Sequence, residues 1–144
     1  MNTCCEKRKD LGILLIRIII GVVFMFHGSQ KLFGMFGGHG MEGFTGFIES
    51  LGVPFPKLNA YLAAAAEFFG GLAVLVGFKM RLATIPMIFT MVVAIVTVHN
   101  SAFSSQASGM EYPLTLGMVL AGLWCLGAGK FSLDAKCCTK TCES

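Results

Sequence analysis

The chain has 144 residues, a net charge of +3 and a mean hydropathy of +0.74, with 55% hydrophobic residues and only 13% charged. A water-soluble domain of this size needs far more charge to cover its surface, so composition excludes that class and leaves a membrane chain. The small basic excess falls where membrane proteins carry topology signals, and it is no signature of nucleic-acid binding.

Residues 1–10 form a basic tail ("EKRKD") expected on the cytoplasmic side. Leu11 to Phe33 is the first block long enough for a hydrocarbon core of about 30 Å. Arg17 interrupts it and no small-residue cleavage site follows, so it reads as an uncleaved helix rather than a signal peptide. The link from Gly34 to Lys57 begins Gly-rich and then places Phe44, Phe47, Ile48 and Leu51 at helical spacing. That spacing predicts a short interfacial helix, either lying on the outer membrane surface or lidding the bundle.

Leu58 to Phe78 is the second spanning helix, apolar except for Glu67. "GFKMR", Gly77 to Arg81, is a tight turn, with the glycine ending one helix and Pro86 expected in the first turn of the next. Leu82 to Val98 and Tyr112 to Leu126 complete four spans, the last two short but extendable by their Thr, Ser and Gly neighbours. Backbone polar groups cannot stay unpaired in lipid and no barrel-strand alternation appears, so the expected fold is an all-α integral membrane four-helix bundle. The spanning domain covers residues 11–134 and a Cys-rich tail covers 135–144. Lys7, Arg8, Lys9, Lys79, Arg81, Lys130, Lys136 and Lys140 fall on one side against Lys31 and Lys57 on the other, which puts both termini in the cytoplasm.

Polar residues within the apolar blocks are the candidates for chemistry. Arg17 and Glu67 lie on antiparallel neighbours at depths differing by less than roughly 10 Å, so they are expected to pair. A lone mid-membrane charge costs about 2.5 to 3.5 kcal/mol, and a partner across the interface offsets that cost. The pair reads either as a helix-to-helix clamp or as part of a proton or substrate path. Arg17, Gly21, Phe24, Gly28 and Lys31 share one face of the first helix, and Ala63, Glu67, Gly70, Gly71 and Val74 share one of the second. In the fourth, Glu111, Thr115, Met118, Gly122 and Cys125 are expected to face inward likewise. "FHGS" and "VHNS" faintly echo each other at the ends of the first and third helices, as two duplicated hairpins would.

The outer half of the bundle is thus expected to gather His27, Lys31, Glu67, His99 and Glu111 around one cavity. Tight metal-ligand spacing is absent from that set, whereas apolar walls, a His or Lys donor and a buried acid suit a lipophilic carbonyl compound such as a quinone. Cys4, Cys5, Cys137, Cys138 and Cys142 gather in the two tails. A reducing cytosol disfavours structural disulfides, and the adjacent "CC" pairs lack usual metal spacing, so they are weak metal candidates beside the reading as exposed thiols.

"LLIRIIIGVVFMFHGSQKLFG", "AAAAEFFGGLAVLVGFKMRLATIPMIFTMVVAIVTVHN" and the closing "GAGKFSLD" together resemble the DoxX family of small four-helix membrane proteins, over Leu11 to Asp134. The resemblance rests on Arg17 with Gly21, Gly28 with Lys31 and Leu32, Glu67 with Gly70 or Gly71, Arg81, His99, and Gly127, Gly129, Ser132, Leu133 and Asp134. Family members are similar to membrane subunits of thiosulfate:quinone oxidoreductase and to partners in bacterial oxidative-stress complexes. That implies a multi-pass protein of the bacterial inner membrane, passing electrons to quinone with a redox partner subunit. Relatives in the wider group look like cargo receptors and assembly chaperones, so a non-enzymatic scaffold, chaperone or carrier is the competing expectation. In the oxidoreductase reading Glu67 handles protons, while Arg17, His27, Lys31, His99 and Glu111 meet the ligand. No haem, flavin or nucleotide motif appears, so electrons come from another chain, and small-residue faces would permit a homodimer.

Overall fold

The computed structural model describes the backbone of residues 3–141 and the side chains of residues 6–137. All regular structure among them is helical: α1 (Thr3–Phe33), α2 (Gly40–Ser50), α3 (Pro56–Val76), α4 (Met80–Thr97), α5 (Glu111–Leu126) and α6 (Leu133–Thr141). The helices α1, α3 and α4 are long and apolar enough to cross a membrane, and α5 is a shorter apolar helix of 16 residues. The first helix already begins within residues 1–10, and part of the Cys-rich tail continues as α6.

In space the helices run α1, α3, α4, α5, each packed on the next, while α2 lies across α1 and α3. Two of these contacts are set by glycine. A Cβ on Gly21 would stand 2.8 Å from the Leu75 Cβ, and one on Gly28 would stand 2.6 Å from the Phe68 backbone nitrogen. Only the missing side chains let α1 and α3 approach so closely, the arrangement favoured where dispersion rather than water drives helix association. Between the helices Phe24, Val74, Met80, Met87, Leu120 and Leu123 fill the core. Large apolar side chains such as Ile19, Phe69, Leu82 and Phe89 point outward, as expected where the surroundings are lipid.

Two expectations about α4 and α5 are corrected. Pro86 lies well inside α4 rather than in its first turn, because the helix starts at Met80. The start is fixed by Asp134, whose carboxylate accepts hydrogen bonds from the Lys79 and Met80 N–H groups at 2.7 and 3.2 Å. Pro86 then removes the helical donor for the Leu82 carbonyl. On α5 the stripe Glu111, Thr115, Met118, Gly122 and Cys125 faces outward, and Pro113, Leu116, Leu120 and Leu123 face the core instead. The larger apolar side chains win the interior because they fill it, and the polar residues of the other stripe find local partners. Thr115 donates to its own helix at the Glu111 carbonyl, and the Glu111 carboxylate accepts from the Ser105 N–H in the preceding loop.

Candidate functional site

The α1–α3 register decides which charges meet. With Gly21 opposite Leu75 and Gly28 opposite Phe68, Ser29 is level with Glu67, and Arg17 is level with the α3–α4 turn. Arg17 and Glu67 are therefore separated along the bundle by about twelve residues of rise, roughly 18 Å, and do not pair. That is the main correction to the sequence reading.

Glu67 is bonded by Lys31 instead. The Lys31 Nζ donates to both carboxylate oxygens, at 2.5 and 2.6 Å, and Glu67 is 3% exposed. The same ammonium lies 4.8 Å from the centre of the Phe44 ring on α2, a cation–π contact. One lysine thus ties the α2 cover to the acid inside α3, and a carboxylate that would be costly alone in hydrocarbon is matched by two charge-assisted bonds.

Arg17 is 1% exposed and spends its donors on backbone carbonyls: Nε on Val74, Nη2 on Leu75, and Nη1 on both Ala128 and Phe131, all at 2.8–2.9 Å. Its place follows from how α3 ends. Gly77, at φ +69°, closes a Schellman turn in which Phe78 N–H reaches Ala73 O and Gly77 N–H reaches Val74 O. The carbonyls left over at that C-terminus carry the negative end of the helix dipole, and a guanidinium satisfies them with charge as well as hydrogen bonds. Arg17 is a structural staple at the end of the bundle that also carries the α3–α4 turn and the segment after α5. Asp134 reinforces the same junction, since its own N–H donates to Gly77 O, and Ser132 caps α6 by accepting from Ala135 N–H.

A cavity of about 970 Å³ opens at the other end, between α1, α3 and α4 and beneath α2. Its walls are mostly apolar, with Phe44, Phe47 and Ile48 from α2, Ala63 and Ala66 from α3, and Phe89 and Val93 from α4. The Lys31–Glu67 pair stands in this wall, joined by Gln30, His39, Asn59, Thr90, Thr97 and His99. His99 is oriented by a 2.6 Å contact between Nδ1 and the Ser108 carbonyl, which makes Nδ1 the protonated nitrogen. The α2 helix is hence a lid, one of the two roles its periodicity allowed.

Of the expected pocket residues, Lys31, Glu67 and His99 come together at the cavity. His27 points instead toward α5, where Nε2 lies 3.0 Å from the Tyr112 hydroxyl, and Glu111 is exposed beside its loop. Sequence reasoning missed His39, Gln30, Asn59 and Thr90. Only Thr90 carried a signal, and a weak one, since it shares α4 with Arg81, Thr84 and Thr97; the others sit at helix ends beside the lid, which no periodicity reveals. The two echoed histidines, His27 and His99, occupy unlike environments.

Among the described residues no group of three or more His, Cys, Asp or Glu side chains is arranged to hold a metal ion. Cys137 is exposed on α6, whereas the side chains of Cys4, Cys5, Cys138 and Cys142 lie outside the described residues.

The DoxX family model matches residues 12–100. The chain is 34% identical over 111 residues to a Bacillus subtilis protein named "Putative oxidoreductase CatD", covering 77% of each chain. It is 31% identical over 130 residues to the Escherichia coli inner membrane protein YqjF, covering 90% of this chain and 94% of the relative. It is 27% identical over 134 residues to the E. coli inner membrane protein YphA, covering 89% and 91% respectively. No solved structure matches the chain significantly. With its apolar helices packed as a bundle and this match over most of their length, the chain belongs to the DoxX family of membrane proteins.

Proposed function

We propose that this protein is the membrane subunit of a quinone-linked oxidoreductase complex, binding a quinone-like molecule in the cavity beneath α2. The observation that carries this reading is a buried carboxylate, paired with a lysine, in the wall of an otherwise apolar cavity of about 970 Å³. Such a site offers a ring flat apolar walls and a few fixed polar groups, the usual composition of a small-molecule pocket. A quinone carbonyl oxygen would accept a hydrogen bond from Lys31, and His99 would serve the far side of the ring. Reduction to the quinol takes two electrons and two protons. The electrons come from a redox-active partner subunit, and the Lys31–Glu67 pair passes protons to the ring oxygens.

The name of the Bacillus relative supports an oxidoreductase, and the E. coli relatives support an inner-membrane location. The basic residues of the α1 start, the α3–α4 turn and the segment after α5 meet at one end of the bundle, which the positive-inside rule assigns to the cytoplasm. The cavity then lies in the outer half of the membrane.

Solvent extraction of gently purified protein tests the reading. Near-stoichiometric quinone in the wild type, lost in Glu67→Gln with the melting temperature retained, supports it. A wild type without quinone, in membranes without quinone-linked activity, would instead make the ion pair a clamp within a scaffold or carrier.

A further inference from the structure

We propose that the ligand enters this cavity sideways from the bilayer, between α3 and α4, and that it is a tailed membrane amphiphile whose hydrocarbon tail stays in that seam. The proposal rests on the reading of the cavity as a quinone-type site and specifies which members of that class it takes.

Three observations point to it. First, the cavity reaches the lipid-facing surface, because Leu62 on α3 and Phe89 on α4 both line it and are 58% and 67% exposed. Second, the seam lies at hydrocarbon depth. A Cβ on Gly70 would meet the Met87 side chain, so α3 and α4 are in a register that sets Thr90 level with Glu67. Pro86 and Phe89 therefore lie deeper in the bundle than the ion pair. From Pro86 to Thr97 the cavity follows about eleven residues of α4, roughly 16 Å, much longer than one ring. Third, polarity is graded along that length. Gln30, Lys31, His39, Asn59 and His99 gather near the lid, Glu67 and Thr90 mark the innermost polar level, and beyond them the lining is Phe89 and Pro86. Phe44, Phe47 and Ile48 of the lid close the side facing water.

A polar ring at Lys31 with a tail running down the seam matches this gradient, and a water-soluble substrate does not. It would have to pass the lid, and it would leave the apolar deep end unfilled. Tail methylenes in contact with Phe89 and Pro86 add affinity, since burying even two of them is worth about tenfold in binding.

The test compares two probes on the purified protein in detergent: a benzoquinone with a long isoprenoid tail, and the same ring without the tail. The tailed probe should bind more tightly by about tenfold or more. Pro86→Trp, placing an indole at the deep end of the seam about four residues of α4 below Thr90, should weaken the tailed probe by about tenfold while changing tailless binding by less than about twofold. Phe89→Ala, which removes a ring from the lipid-facing side of the seam, is the second variant, should Pro86→Trp fail to fold. Equal affinity for the two probes, or equal weakening of both by a variant that folds, would overturn the sideways route and leave the quinone site standing. Binding of neither probe by the wild type would overturn both.

Discussion

The two ends of the bundle each set a basic residue of α1 against α3, Arg17 buried and Lys31 half-buried, yet they use it in opposite ways. Arg17 gives its donors to four backbone carbonyls that have no alternative position. Lys31 holds a side chain and the covering helix α2, groups with more freedom than a helix-end carbonyl. The guanidinium is planar, carries five donors and keeps its charge, so it suits a permanent junction; the ammonium is a compact point charge on a flexible stem and can exchange partners and protons. The contrast teaches that burial of a charge in a membrane helix does not by itself mark a reactive site. What the charge is bonded to decides.

The largest expected effect lies at the fixed end. Arg17→Met removes a donor from each of the Val74, Leu75, Ala128 and Phe131 carbonyls, of which Val74 keeps its bond from Gly77 N–H, and at about 1 kcal/mol or more for each of the other three it should cost about 3 kcal/mol or more. The thermal unfolding midpoint in detergent reads this loss, and Arg17→Lys should recover little of it because one ammonium cannot reach both carbonyl groups of residues. A wild-type-like midpoint in Arg17→Met would erase the contrast between the two ends.

Gly77→Ala comes next. The position has φ +69° and a Cβ there would collide with the Arg17 guanidinium and Ser132, so a cost of about 2 kcal/mol or more is expected in the same melt. Asp134→Ala, which uncaps α4, should cost about 1 kcal/mol.

A double-mutant cycle sharpens the comparison at the other end. Lys31→Met and Glu67→Gln should be coupled by about 1 kcal/mol or more, since the residues share two hydrogen bonds. Arg17→Met and Glu67→Gln should be additive within about 0.5 kcal/mol. Coupling of Arg17 to Glu67 in place of Lys31 would return the pairing to the one expected from sequence.

The smallest effect is expected for the surface pair of Glu6 and Lys130. The hydrogen bond from Lys130 to Glu6, helped by the Glu6 charge, raises the lysine above its ordinary range against a small opposing effect of burial. A raised lysine contributes at neutral pH and loses its contribution only as pH rises through the raised value. Because both side chains stand in water that contribution is small, and Glu6→Gln should lower the neutral-pH melt only slightly if at all.

How far these features were legible in the sequence depends on what carried each one. Block hydrophobicity located the four apolar helices to within about two residues of their ends except at the start of α1, which begins eight residues before Leu11, and the Phe44, Phe47, Ile48 spacing located the lid. The inward face of α3 was legible too, because Glu67, Gly70, Gly71 and Val74 are all buried as their spacing requires. The partner of Glu67 was not. Depth counted from assumed helix ends carries an error of several residues on each helix, enough to exchange Arg17 for Lys31, and only the glycine contacts fix the register. Backbone carbonyls as partners of Arg17 leave no mark in a sequence, since every residue has one. The outward stripe of α5 misled because its polar residues are satisfied within their own helix and loop, a local choice that periodicity cannot distinguish from an inward face.

The central claim, that the cavity under α2 is where a quinone-type ligand sits, is tested most directly by photo-crosslinking. A tailed azido-quinone is irradiated with the protein in lipid nanodiscs, and the adducts are mapped by mass spectrometry. Labelling on the α2 and α4 segments that contain Phe44, Phe89 and Thr90, competed away by unlabelled quinone, is the predicted result. Adducts confined to the outward face of α5, or labelling that unlabelled quinone does not reduce, would contradict it.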